Sequence, residues 1–343
     1  MITLFFSALI RPIFLATVCL SFFLQSDCNH DSSKTNSVNT QNGANVAANN
    51  NSNVSNVKNE TLVSIIPKGN GHFVLYYGDG GDEGQLEKHF KPIRDTKPAF
   101  VIVGFFGKKP TEPVDIKQAK QVICYLRGGS AKECVENPVF AGTPTDIKTL
   151  YYVTVDQADS MINSQIESVM NIGYDGIFFD ETNRQNEDSQ NNRYKKFADS
   201  VHLKNTNDNK KIVIVNPGYS GESVCRMFEY ADIVSVENHW NKKVPKCNGI
   251  EKWQWLAVQG DPSTEKGSYA QPPKDDEGDK AINRLKCFRK NGGFWYFTTG
   301  WDGKQCVHWR LPQFLERLAD EAKKESTDCK EELDEEYTNC KPQ

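Results

Sequence analysis

The chain has 343 residues, of which 38% are hydrophobic and 11% aromatic, so it can bury a full core and is not disordered along its whole length. This length fits two ordinary domains or one large domain such as an α/β barrel. The formal net charge is −4, which implies no basic face and argues against a nucleic-acid partner.

The first 28 residues are predicted to be a secretory signal peptide. A 12-residue apolar run from Ile13 to Leu24 follows Arg11, and it is too short to span a bilayer. Ser26 and Cys28 stand at positions −3 and −1 of a cut after Cys28. One alternative is that this segment is a short membrane anchor. The other is that a lipid is attached to Cys28, which would then be the protein's link to a membrane. The protein is therefore expected to be secreted or to lie at the cell surface.

The rest of the chain divides by composition. Residues 29–62 are predicted to be a disordered linker, because 11 of residues 29–60 are Asn and none is aromatic. Residues 63–318 are expected to form one folded domain. Residues 319–343 form an acidic tail, and Glu321–Gln343 is predicted to be a solvated helix that a disulfide staples.

Ten cysteines agree with export. Cys19 leaves with the signal peptide, and Cys28 is lost, lipidated or left odd. An even set remains, which indicates disulfides in an oxidising compartment: Cys124, Cys134, Cys225, Cys247, Cys287, Cys306, Cys329 and Cys340. Short loops favour sequential pairing, 124–134, 225–247, 287–306 and 329–340, among 105 alternatives. No Cys-x-x-Cys spacing occurs in this set, and neither a metal nor a cofactor is expected.

From residue 73 onwards, β-branched or aromatic runs bounded by Gly, Pro or Asp alternate with helical segments. The predicted strands are Phe73–Gly78, Ala99–Phe105, Leu150–Val155, Asp175–Glu181, Lys211–Asn216, Asp232–Glu237, Trp253–Gln259 and Gly293–Thr298. The predicted helices include Pro113–Arg127, Asp156–Asn171 with Asp156 as N-cap, Asp188–His202, Lys280–Lys290 and Leu311–Lys324. Eight alternations predict a (β/α)8 TIM-type barrel, with an open doubly wound sheet as the alternative.

The ends of the predicted strands carry acids, amides and aromatic rings. Because a barrel places its active site at the C-terminal ends of its strands, these side chains are the candidate site. Two carboxyl groups can protonate a leaving oxygen and stabilise an oxocarbenium-like centre, so the candidate catalytic residues are Asp180, Glu181 and Glu237. The structural alternative is that one acid only pairs with a neighbouring base. Candidate sugar-binding residues are Tyr77, Asp79, Asn216, His239, Trp301 and Asp302. Asn216 could equally fix its own Pro-Gly turn.

The stretch from Gly173 to Glu181 resembles the most characteristic segment of the spherulin-4-like family, spherulation-specific family 4. Val213–Gly218 and Tyr230–Glu237 resemble its next two strands, and Tyr152–Thr154 resembles an earlier one. The likeness covers roughly residues 73–300. It implies a (β/α)8 barrel and glycoside hydrolase activity on galactosamine-containing exopolysaccharide. The family's active-site acids match Asp180, Glu181 and Glu237.

These patterns together favour an endo-acting glycoside hydrolase with a polysaccharide substrate. Glu237 is the candidate general acid/base, and Asp180 or Glu181 is the candidate nucleophile or stabiliser. Two alternatives share the same rim: a carbohydrate-binding barrel without catalysis, and a structural surface protein that uses the barrel as a scaffold.

Overall fold

The computed structural model describes residues 71–330, except 105, 107, 139–145, 183–187, 207–208, 219–220, 237–242, 260–276, 302–305, 308–310 and 313. Among these residues, eight parallel strands form one sheet in sequential order. The strands are β1 (Phe73–Tyr76), β2 (Phe100–Val103), β3 (Lys148–Thr154), β4 (Gly176–Asp180), β5 (Ile212–Asn216), β6 (Ile233–Ser235), β7 (Trp255–Gln259) and β8 (Trp295–Thr298). All eight predicted strands are confirmed.

The sheet curls into a nearly closed barrel. Each strand pairs in parallel with the next one from β1 to β8. The first and last strands meet through side chains, because the rings of Phe73 and Phe297 lie 5.8 Å apart. Sequential order with near closure confirms the TIM-type barrel and rules out the open doubly wound sheet, whose strand order would reverse.

Helices connect the strands and cover the barrel. They are α1 (Glu83–Gln85), α2 (Lys91–Thr96), α3 (Ile116–Leu126), α4 (Ala131–Glu136), α5 (Asp159–Ile172), α6 (Asp188–His202), α7 (Glu277–Lys290) and α8 (Leu315–Lys323). A π-helical segment, Leu86–Phe90, joins α1 to α2, and 3₁₀ segments occur at Glu222–Glu229 and Lys252–Gln254. Two short strands, β9 (Gly300–Trp301) and β10 (Cys306–Val307), pair in antiparallel fashion after β8.

Local signals explain several of the helix ends, and one predicted helix start is wrong. The Asp115 side chain caps α3 by accepting a hydrogen bond from the Gln118 amide at 3.1 Å. Gly128, the residue after the predicted helix Pro113–Arg127, follows the end of α3 with a positive φ of 102°. Helix α5 begins after Ala158, so Asp156 is not its N-cap. Asp156 lies three residues before the helix, and its amide donates to the Thr154 hydroxyl at the end of β3 at 3.3 Å.

Three disulfides join cysteines of the described residues: Cys124–Cys134, Cys225–Cys247 and Cys287–Cys329. The first two pairings are confirmed. The predicted pairings 287–306 and 329–340 are wrong, because Cys287 of α7 bonds Cys329, which lies 42 residues later. Packing of α7 beside α8 brings the two together, and Lys286 and Glu321 form an ion pair of 3.1 Å there. The Cys306 side chain and Cys340 lie outside the described residues.

The tail prediction is corrected in its described part. The last helix, α8, ends at Lys323, and residues 326–330 are not helical. Asn283 of α7 holds Lys330 through two hydrogen bonds, 3.0 Å from its side-chain amide to the Lys330 carbonyl and 2.9 Å in return. Residues 331–343 of the predicted tail helix lie outside the described residues. No helix within the described ranges has both the length and the apolar character needed to cross a bilayer.

Candidate active site

The acid pair lies at the C-terminal end of β4, where sequence reasoning placed it. Side chains alternate along a strand, and the Phe179 ring packs on Phe197 of α6, with ring centroids 6.3 Å apart. Phe178 therefore points into the barrel, where its ring lies 5.9 Å from that of Tyr152. Asp180 has the same parity as Phe178. It is the last residue of its strand and faces the mouth of the barrel.

Adjacent residues on an extended strand point to opposite sides, yet both carboxylates contact the same face of β3. The reason is the backbone of Glu181, whose φ of 59° lies in the left-handed region. A non-glycine residue rarely adopts this conformation, which costs of order 1–3 kcal/mol and occurs at functional sites. The left-handed turn directs Glu181 towards β3 beside Asp180.

Three donors hold the carboxylate of Asp180. The Tyr152 hydroxyl donates to Oδ2 at 2.6 Å. The Asn216 side-chain amide donates to Oδ1 at 2.8 Å, and the Glu181 backbone amide donates to the same oxygen at 2.9 Å. These donors come from β3, from β5 and from the turn after β4. Strand register explains the convergence, because Thr154, Asp180 and Asn216 are paired positions on neighbouring strands.

Burial and hydrogen bonding oppose each other at Asp180. Burial raises the pKa of its carboxyl group above the ordinary value, while hydrogen bonds from Tyr152, Asn216 and the Glu181 amide lower it. The neighbouring charge of Glu181 adds to the upward effect, and the net direction of the pKa is upward. A carboxyl group with a raised pKa beside a second carboxyl group is an arrangement suited to acid/base chemistry.

Glu181 has its own partner on β3. The Thr154 hydroxyl donates to Glu181 Oε2 at 3.1 Å and accepts from the Asp156 amide at 3.3 Å. Tyr152 and Thr154 are two residues apart, so they point to the same side of β3. Each of the two acids is therefore held by one hydroxyl group of the same strand.

The predicted sugar-binding residues are placed as follows. Asn216 is 5% exposed, and its side chain both bonds Asp180 and accepts from the Gly218 amide at 3.3 Å. Asn216 therefore stabilises its own Pro-Gly turn, which was the structural alternative to a role in sugar binding. Tyr77 is buried with its ring 4.9 Å from that of Tyr152, and Asp79 is exposed. Glu237, His239, Asp302 and the Trp301 side chain lie outside the described residues.

Sequence reasoning assigned no role to Tyr152 or Thr154. Their signal was present, because they occupy alternate positions at the end of the strand before the acid strand. The stagger between neighbouring strands could not be predicted from the sequence, and it determines which side chain contacts each acid.

A cleft of about 540 Å³ opens at the other end of the barrel. It is lined by Trp253 of the 3₁₀ segment before β7, by Phe294 directly before β8, and by Arg289. The Arg289 side chain is 3% exposed and donates to the Ala322 carbonyl at 2.6 Å. Burial lowers the pKa of this guanidinium group to about 10. Because none of the described candidate acids lines this cleft, it is separate from the candidate active site.

A comparison with protein families matches residues 116–298 to the model described as spherulation-specific family 4. This chain belongs to that family. The match is shorter than the likeness read from the sequence, since β1 and β2 precede it. It includes Asp180, Glu181, Asn216 and Glu237, so the acids and β3 with its hydroxyl groups lie within the family's own segment.

A comparison with solved structures found several that are similar to this chain. Sph3 of Aspergillus clavatus in complex with GalNAc has a TM-score of 0.51 at 15% identity, covering 76% of this chain and 99% of its own. A chitinase from Bacteroides thetaiotaomicron gives 0.43 at 10% identity, covering 77% of this chain and 100% of its own. An endo-beta-N-acetylglucosaminidase from Cordyceps militaris gives 0.42 at 10% identity, covering 80% and 97%. At 15% identity, the likeness to Sph3 concerns the fold alone. A comparison with curated proteins found no match.

Proposed function

We propose that this protein is a glycoside hydrolase that cleaves internal bonds of a polysaccharide by carboxylate catalysis. The observation that carries the proposal is the adjacent pair Asp180 and Glu181 at the C-terminal end of β4, both held by β3 and both within the family segment. A single rim acid could be structural. Two rim carboxylates at the functional end of a barrel, one of them with a raised pKa, fit glycosidic bond cleavage.

The proposed chemistry uses two carboxyl groups in different roles. A proton donor protonates the glycosidic oxygen as the bond to the anomeric carbon breaks, and a carboxylate attacks or stabilises that carbon before water completes hydrolysis. We assign the donor to Glu237, and the second role to Asp180 or Glu181. Support comes from its place in the chain: Glu237 follows Ser235, the last residue of β6, by two positions, and the C-terminal ends of barrel strands meet at one mouth.

The proposed substrate is a galactosamine-containing polysaccharide. The likeness of residues 173–181 to the most characteristic stretch of the family supports this class, and so does the GalNAc complex of Sph3. The residues proposed to contact the sugar rings are Tyr77, Asp79, His239, Trp301 and Asp302.

Incubation of the purified protein with a galactosamine-rich polysaccharide tests the proposal. We expect short oligosaccharides with new reducing ends, and we expect none from a neutral glucan. Glu237→Gln serves as the control for contaminating hydrolases, because it keeps the size of the side chain but cannot donate the proton. Retention of the polymer without any cleavage would favour the carbohydrate-binding alternative. Full activity of both Glu181→Gln and Glu237→Gln would remove the assignment.

We further propose that the protein is secreted after removal of residues 1–28. Three disulfides support an oxidising compartment. Protein collected outside the producing cell is expected to begin at residue 29 and to yield disulfide-linked peptides 124–134, 225–247 and 287–329 by mass spectrometry. Retention of residues 1–28 in the mature protein, or free thiols at these six positions, would contradict it.

A further inference from the structure

We infer that β3 is the positioning element of the proposed active site, with Tyr152 holding Asp180 and Thr154 holding Glu181. The inference rests on the proposed function for its effect on turnover, but the contacts themselves do not depend on any substrate. No role was assigned to either hydroxyl group from the sequence. Both are positioning residues, since each acts through a carboxylate.

The contacts of Tyr152 are specific to this task. Its hydroxyl group donates to Asp180 Oδ2 at 2.6 Å, and its ring is fixed by the edge contact with Tyr77 and by Phe178. Gly104, directly after β2, lets the two backbones lie close together, because a Cβ there would lie 2.8 Å from the Tyr152 Cβ. A phenol packed against two aromatic rings delivers its hydrogen bond in one direction with little loss of conformational entropy.

Thr154 performs the equivalent role for the second acid. Its hydroxyl group accepts a hydrogen bond from the Asp156 amide and donates one to Glu181 Oε2. The amide fixes the direction of the donor, so Glu181 meets a hydroxyl group that is already oriented. Without this donor, the left-handed turn at Glu181 would lose one of the contacts that offset its backbone cost.

The charged surroundings decide the expected direction of the effect. Among the described residues, the titratable groups that face Asp180 are Tyr152 from β3 and Glu181 from the adjoining turn, and β5 contributes the neutral Asn216. Loss of the Tyr152 donor removes an interaction that favours the ionised carboxylate. The pKa of Asp180 therefore rises further in Tyr152→Phe.

The test compares two variants of β3 with two matched controls on the same strand. Tyr152→Phe and Thr154→Val each remove one positioning hydroxyl group. Tyr151→Phe removes the hydroxyl group of an outward ring that packs on Phe106 and Tyr174. Thr149→Val removes a buried hydroxyl group that has no hydrogen-bond partner among the described residues. Circular dichroism establishes that each variant is folded.

Turnover on the polysaccharide is the first measurement. We expect kcat to fall about 10- to 100-fold in Tyr152→Phe, as for loss of one hydrogen bond to a charged group, with KM nearly unchanged. The acidic limb of its pH profile should move to higher pH. Thr154→Val should lose kcat in the same way, and both controls should retain the wild-type profile. Equal profiles for Tyr152→Phe and Tyr151→Phe would overturn the inference.

A second measurement separates this inference from the proposed function. The carboxyl carbon of Asp180 is followed by NMR against pH in ¹³C-labelled protein, with Asp180→Asn assigning the signal. We expect an upward displacement of its titration in Tyr152→Phe and none in Tyr151→Phe, whether or not the protein cleaves any polysaccharide. If the wild-type protein cleaves no polysaccharide but the titration of Asp180 still moves upward in Tyr152→Phe, only the proposed function is refuted. An unmoved titration would refute the positioning role.

Discussion

Replacing Asp180 with Asn, or Glu181 with Gln, is expected to lower kcat on the polysaccharide by about 10²–10⁴-fold, the usual contribution of a positioned acid or base. The two side chains meet at one rim and each is held by its own hydroxyl group on β3, so neither can replace the other without loss of geometry. Release of reducing ends, measured at saturating substrate, reports the change.

The control for this prediction is an acid of the same protein that lies away from the rim. Glu167 is exposed on α5, and Glu167→Gln should keep kcat within about two-fold. Wild-type turnover in Asp180→Asn and in Glu181→Gln would show that the pair is structural. The proposed chemistry would then have no described acid to support it.

Loss of activity in Asp180→Asn should not come from loss of stability. Because burial raises the pKa of this carboxyl group in the folded protein, its ionisation favours the unfolded chain. The contribution of this group to the free energy of unfolding is largest below its pKa in the unfolded state. It is lost as the pH rises through its higher pKa in the folded state. An amide has no such dependence, so urea unfolding near pH 7 should show a variant at least as stable as the wild type. A clear decrease would mean that the three hydrogen bonds outweigh the burial cost.

Trp295→Ala is expected to lower the free energy of unfolding by about 3–5 kcal/mol, as for other large aromatic side chains removed from a core. Trp295 is fully buried at the start of β8, with its ring 5.0 Å from that of Phe100 on β2. Its indole nitrogen also donates to the Trp253 carbonyl at 2.7 Å, and the alanine variant leaves that acceptor without its donor. The loss is a large share of the 5–15 kcal/mol by which domains are usually stable.

Denaturation in urea measures the effect of Trp295→Ala. Leu203→Ala is the control, because Leu203 is 82% exposed and should change the free energy of unfolding by less than about 0.5 kcal/mol. If the free energy of unfolding falls by less than about 1 kcal/mol in Trp295→Ala, the packing of the barrel interior around the start of β8 does not depend on this ring.

Much of the fold could be predicted from the sequence because its signals are local. Runs such as Ile212–Asn216 are apolar on both faces, as buried parallel strands require, and the intervening segments have helical periodicity. A short helix, Ala131–Glu136, went unpredicted although Ser130 and Glu133 form its capping box, a signal that is also local. The first two disulfides close loops of 10 and 22 residues, and these pairings were predicted correctly.

The candidate site is divided in the same way. Local patterns alone place Asp180 and Glu181 at the C-terminal end of the fourth strand, and a barrel brings strand ends to one mouth. The contacts of Tyr152, Thr154 and Asn216 with these acids, and the bond between Cys287 and Cys329, became visible only in the folded chain. Alternation and strand ends could be read because they depend on neighbours in the chain. Stagger between strands and packing between helices depend instead on how distant segments fit together.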